Sequence, residues 1–469
     1  MTIYLNKKYF GLDIFVAIIS LLNFSYILLF NKVDNYKIMF LSPIVFAICY
    51  FFSLRLCMEK YKEFGTIFLA STFIRYEILP FSFVYLGEYE GRGISGLFED
   101  EYTLALLLTY YELIICAIVI RYLLHKMDFV TIKSDITFSE KTLIYYIFAA
   151  LVFGLVLINP KVLLSLSFFL PNKNGYTYDD FSLIEQLTIM LVIVLKQIVF
   201  SLGEYKLNSK YSETGGNIYL FFSIILLFFN MSIYFGSNRS DFILMFIASF
   251  LYWMYLFKKN NPILIGALAI VGILVVIGIT DIRQYYYRYS DQLLNMRDQI
   301  QCYFGGIYNV AVSIRAKQLY PNQTNVFTLI YDFARSTLGI NFVAKLINMD
   351  YANLIFNYTL YGYKVRVSQI MPAIGEGYYC MGFLLSPIVD VIFILIAFRL
   401  KKDMSQKFRA EIVYFYIITM MRIGFVMGQN SSIQINDLSF NLFVPLILMW
   451  VNDRIAIKSK SRKNGIGNA

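Results

Sequence analysis

Charge is scarce in this chain: only 15% of its 469 residues are Asp, Glu, Lys or Arg, where a soluble chain of this size carries roughly 25%. There is one histidine, His125, beside Lys126 at the end of an apolar block. The five cysteines (49, 57, 116, 302 and 380) are scattered without CxxC spacing and sit mostly inside apolar runs, so they read as small buried hydrophobes. A metal centre built from His and Cys is therefore not expected, and no metal or cofactor is implied. No nucleic-acid-binding motif, no repeat of fixed period and no linker to a second domain is visible, so residues 1–469 read as a single domain.

What the chain does have is apolar sequence. Apolar residues make up 58% of it, the mean hydropathy is +0.61, and they fall in blocks of about 20 bounded by Lys, Arg, Asp, Asn or Pro. Such blocks match the roughly 30 Å hydrocarbon layer at 1.5 Å per helical residue. The expected fold is an all-α polytopic membrane protein. Spans are expected at 10–31, 38–57, 64–86, 102–123, 141–159, 183–202, 217–235, 241–257, 262–280, 373–398, 410–428 and 437–452, about twelve transmembrane helices. Lys7 and Lys8 precede the first block and no small-residue cleavage site follows it, which reads as a retained span rather than a signal peptide.

The positive-inside rule orients this layout. With the N-terminus in the cytoplasm, inner segments hold 23 Lys and Arg residues and the short outer loops only 6. Both termini are then cytoplasmic. The net charge of +10 is accounted for by this topology and by anionic lipid rather than by nucleic acid. The layout leaves one large extracytoplasmic loop between helices 9 and 10, residues 281–372. It contains nine Lys and Arg against five Asp and no Glu. Within it, residues 325–347 are expected to lie on the membrane surface as an amphipathic helix.

Several charges on the outer side invite a functional reading. Arg239 lies in the short turn FGSNRSDF, 235–242; Arg283 and Arg288 flank Tyr285, Tyr286 and Tyr287; Glu376 stands between glycines in IGEGYYCMG; Arg422 interrupts an apolar span. A charge inside a span costs at least about 2.5–3.5 kcal/mol and normally faces a partner or a wet cavity. Arg75 and Glu77 in the third span read as a pair that neutralise each other locally, or as part of such a cavity. Arg239 has the alternative reading of a snorkelling loop residue, and the tyrosines that of an interfacial belt. Glu376 could equally be a helix N-terminal carboxylate or a base. Arginines converging on one face describe an anion site, since guanidinium grips two phosphate oxygens at once.

The architecture, with FGSNRSDF between spans seven and eight and PAIGEGYYCMGFLLSPI opening span ten, resembles the Wzy-type polymerases of O-antigen and capsular repeat units. These are related to O-antigen ligases and to membrane-embedded GT-C glycosyltransferases. Arg366 followed by Gly377 also fits the RX10G spacing of some members. The resemblance implies a metal-independent block transfer on the outer leaflet. A growing glycan on polyprenyl pyrophosphate passes to an incoming lipid-linked repeat unit, with a flippase and a chain-length regulator as partners. It implies Arg239, Arg283, Arg288 and Arg422 as pyrophosphate ligands, Tyr285, Tyr286, Tyr287 and Arg366 as glycan contacts, and Glu376 with Arg239 as the catalytic pair. Related ligases use an outer His; this chain has none, so a base would be a carboxylate, with Glu376 the candidate, or the substrate itself. A flippase or other secondary transporter of lipid-linked oligosaccharide is the competing reading, though the two halves of the chain do not look alike.

Overall fold

The computed structural model describes residues 9–93, 96–127, 142–168, 180–235, 239–257, 289–344, 346–347, 349–362, 369–406 and 409–466, with the backbone alone for 239–241 and 456–466. The chain is overwhelmingly helical. Long helices are α1 (Phe10–Phe30), α2 (Asp34–Lys60), α3 (Lys62–Tyr85) and α4 (Glu99–Lys126). They are followed by α5 (Leu143–Ile158), α6 (Leu183–Thr214), α7 (Asn217–Ser232) and α8 (Arg239–Phe257). Short helices come next: α9 (Gln292–Tyr303), α10 (Ile307–Leu319), α11 (Val326–Ser336), α12 (Ile340–Ala344), α13 (Ala352–Tyr361) and α14 (Ala373–Met381). The chain closes with α15 (Ile388–Gln406), α16 (Ala410–Ile423), α17 (Ser431–Leu438) and, after a π turn, α18 (Val444–Ile466).

Six helical stretches are long and apolar enough to cross a membrane: α1 to α4, α6, and the run Ser431–Ile455. Their exposure pattern supports the membrane assignment independently. On α1, Ile14, Ile18, Leu21, Leu22, Leu28 and Leu29 are exposed while Asp13, Ser20 and Asn23 are buried. A helix in water turns its apolar stripe inward; this one turns it outward and hides its polar groups, as a lipid-facing helix must.

The structure differs from the sequence reading in several places. The block expected as one span over 373–398 is two helices, α14 and α15, because the chain turns at Gly382 (φ +82°). Residues 325–347 form α11 and α12 rather than one amphipathic helix, divided near Gly339 (φ +88°). The long segment around them is itself folded: Ile307 to Ile314 of α10 are buried without interruption. Leu166–Phe168 and Ile233–Phe235 pair antiparallel as a small two-stranded ribbon, an addition to the all-helical expectation. The expected span 262–280 lies outside the described residues.

By compactness the chain divides into two units. Unit 1 comprises Met1–Phe129, Arg288–Arg399 and Arg422–Asn436; unit 2 comprises Val130–Tyr287, Leu400–Met421 and Asp437–Ala469.

Candidate functional site

The basic excess of the 281–372 segment suggests an anion site, yet its described cations Arg297, Arg315, Lys317 and Arg335, like Arg92, already have partners. Arg92 Nε donates to both oxygens of buried Asp298 at 2.9 Å, and Tyr89 donates to the same carboxylate at 2.6 Å. Arg297 Nη1 donates to the Gly87 carbonyl at 2.5 Å, with its guanidinium 5.4 Å from the centre of the Tyr89 ring. Arg315 holds Glu101 through Nε and Nη2, the latter at 3.0 Å, and stacks on Phe98. Lys317 caps the end of α14, donating to the Tyr378 carbonyl at 2.8 Å. Arg335 faces Asp332 at 3.5 Å and lies 3.5 Å over the Tyr351 ring. These contacts clamp the 87–101 connection and the 289–362 segment together, so that charge is structural.

Glu376 occupies a built environment. It lies on α14, 1% exposed, and its carboxylate accepts two hydrogen bonds from Ser431: one from the backbone N–H and one from Oγ–H, each 2.7 Å. Ser431 is the first residue of α17, so Glu376 satisfies an orphan N–H at the start of a different helix. The flanking glycines have a packing role. A Cβ at Gly377 would collide with the Ser386 carbonyl, and one at Gly375 with the Ser313 hydroxyl. They let α10 and the 382–387 turn close on both sides of Glu376.

A second buried carboxylate stands nearby. Asp332 on α11 accepts from the Ala352 N–H at 3.1 Å, capping α13, and its carbonyl accepts from Ser432 Oγ at 3.4 Å. Burial pushes the Asp332 carboxyl up to about 6, against the opposing pull of Arg335. Asp332 and Asp390 both act electrostatically on Glu376. Residues 431–432 thus join the two acids, one at the head of α17 and the other at the head of α13.

Charges within the long helices follow a different pairing from the expected one. Arg75 and Glu77 sit in the π turn Ile74–Ile78 of α3 and do not pair with each other. Arg75 Nη1 contacts Glu112 of α4 at 2.8 Å, and Glu77 accepts from Ser20 and from Asn23 Nδ2, the latter at 2.7 Å. The correction has a simple cause: residues two apart on a helix point different ways, and α4 and α1 each offer one a partner. Asp390, in the first turn of α15, stands against Glu112. The cost argument that singles out Arg75 applies equally to Glu112 and Asp390, each of which interrupts an apolar block. Ser431 and Asp332 carried no such signal.

The remaining expected site residues are placed as follows. Arg422 is half-buried near the end of α16, its carbonyl accepting from Gln434 Nε2 of α17 at 3.3 Å. It belongs to unit 1 with Glu376. Arg239 opens α8 in unit 2, four positions after the end of the ribbon strand Ile233–Phe235. Lys196 of unit 2 donates to the Asn230 and Ile233 carbonyls at 2.8 and 2.6 Å, closing the end of α7. Arg283, Arg288, Tyr285, Tyr286, Tyr287 and Arg366 lie outside the described residues. Comparison with known proteins found no matching family model, no similar curated protein and no similar solved structure.

Proposed function

We propose that the protein is a membrane glycosyltransferase that polymerises lipid-linked oligosaccharide repeat units for O-antigen or capsule. In this reading about twelve spans cross the bacterial inner membrane, both termini are cytoplasmic, and the 281–372 segment lies outside. The observation that supports it best is the Gly375–Glu376–Gly377 helix: an acid fixed by Ser431 and enclosed by the folded 289–362 segment.

The chemistry is a displacement at the anomeric carbon. The acceptor hydroxyl of the incoming unit loses its proton to the Glu376 carboxylate as its oxygen attacks. The bond from anomeric carbon to phosphate oxygen breaks, and polyprenyl pyrophosphate leaves with the electron pair. To accept that proton Glu376 exchanges the Ser431 hydroxyl for the substrate hydroxyl, so the 429–431 connection must open. Negative charge develops on the pyrophosphate, where arginines stabilise it. We assign that task to Arg239, Arg283, Arg288 and Arg422, whereas Arg92, Arg297, Arg315 and Arg335 are committed to the framework. Tyr285, Tyr286, Tyr287 and Arg366 are assigned to the glycan.

A flippase or proton-coupled transporter is the second reading, favoured by the charged group Arg75, Glu112 and Asp390 among the long helices. Deleting the gene separates the two. Loss of a polymerase leaves single repeat units displayed on the outer surface; loss of a flippase traps them inside. For Arg239, the Lys variant keeps charge but loses the fork, and product length unchanged in that variant removes Arg239 from the mechanism.

A further inference from the structure

Deep among the helices of unit 1, two carboxyl groups meet one guanidinium. Glu112 and Asp390 are each 0% exposed and Arg75 is 4% exposed. Arg75 Nη1 reaches Glu112 Oε2 at 2.8 Å and the Met427 carbonyl at 3.4 Å. With both acids ionised the group would carry a net charge of −1, and an uncompensated charge removed from water costs several kcal/mol.

The contacts point the same way. Asp390 and Glu112 lie within hydrogen-bonding reach of each other. Among the described residues no side-chain donor reaches either Asp390 oxygen. Ionised carboxyls are acceptors only, so the two can bond only through a proton on one of them. Arg75 meanwhile keeps Nε and Nη2 buried without an acceptor, so the guanidinium has donors to spare for whichever carboxylate is charged.

We propose that Glu112 and Asp390 share one exchangeable proton opposite Arg75, forming a proton-binding site among the helices of unit 1. Binding is the protonation of one carboxylate by a proton from solvent and requires no other reactant. The other titratable groups facing this site are Tyr76 on α3, Cys49 on α2, Cys116 on α4 and Glu376 on α14. Because Asp390 also acts on Glu376, gain or loss of the shared proton changes the charge that Glu376 faces. The inference does not rest on the polymerase reading and holds for a transporter as well.

The test is infrared spectroscopy of the full-length protein in lipid nanodiscs, in H2O and after exchange into D2O. The wild type is expected to show protonated-carboxyl absorption that moves on exchange. Asp390→Asn and Glu112→Gln are each expected to lose the intensity of one carboxyl, since one carboxylate facing one guanidinium needs no proton. Full intensity retained in either variant overturns the proposal. Asn has the shape of a protonated Asp, so Asp390→Asn should also fold and melt like the wild type. Glu112→Gln mimics the other arrangement of the shared proton, and failure of both amide variants to fold contradicts the proposal.

Discussion

Several buried acids in unit 1 face arginine: Asp13 meets Arg55, Glu112 meets Arg75, Asp298 meets Arg92 and Glu101 meets Arg315, while Glu77 and Glu376 accept from neutral donors. Unit 2 handles most of its buried polarity with neutral partners. Glu204 of α6, 0% exposed, accepts from Ser223, whose hydroxyl accepts from Trp253 Nε1 at 2.7 Å. Asn230 donates to Ser249 and Tyr414 at 2.7 and 2.9 Å. The exception is Arg409, which binds Glu411 and Asp453 near the start of α16. The difference is one of connectivity. In unit 1 two of the ion pairs, Arg92 to Asp298 and Arg315 to Glu101, join segments some 200 residues apart. In unit 2 hydroxyls and amides tie α6, α7, α8 and α16, and the ionisable groups among them, Glu204 and Lys196, bind neutral partners.

That contrast predicts a graded response to mutation. Arg75→Met should be the most damaging change, costing about 3–5 kcal/mol, because it strands two buried carboxyls; melting of the protein in nanodiscs measures it. Gly377→Ala should cost about 1–3 kcal/mol by forcing α14 away from the Ser386 backbone, read by the same melt.

A smaller effect is expected at Asp332 and depends on pH. Its carboxyl is raised to about 6 in the folded protein, from an ordinary value near 3.8. The folded state therefore binds more protons between those values, and docking of α11 weakens as pH rises from about 4 to about 6. Hydrogen exchange across 326–336 should follow that trend in the wild type and lose it in Asp332→Asn. The smallest effect is expected for Glu204→Gln, under about 1 kcal/mol, since Gln retains an acceptor for Ser223 and no cation among the described residues is abandoned. If Glu204→Gln destabilises as much as Arg75→Met, the contrast between the units is wrong.

Membrane character was legible in the sequence because burial in lipid leaves a compositional mark: α1 to α4 and α6 overlap the expected blocks, with α6 running on to Thr214. The break in α14–α15 was not, since apolar blocks do not reveal that a helix stops where Gly382 takes a positive φ. Part of the basic excess of the 281–372 segment was illegible for a related reason. Composition counts Arg297, Arg315 and Arg335 but does not show that Gly87, Glu101 and Asp332 engage them. Glu376 was singled out by its glycines, and they do mark a close approach; its partner Ser431, 55 positions away, leaves no trace in local sequence. Arg75 was read against the wrong neighbour because Glu77 is adjacent in sequence whereas Glu112 is adjacent in space.

The most direct test of the account is block transfer by the purified protein in nanodiscs, supplied with polyprenyl-pyrophosphate-linked repeat units, for the wild type and Glu376→Gln. A general base contributes roughly 10²–10⁴ in rate. The account predicts that the wild type lengthens the units and that the variant, folded and melting near the wild type, is slower by that factor. Lengthening by Glu376→Gln at the wild-type rate, or none by the wild type, would contradict it.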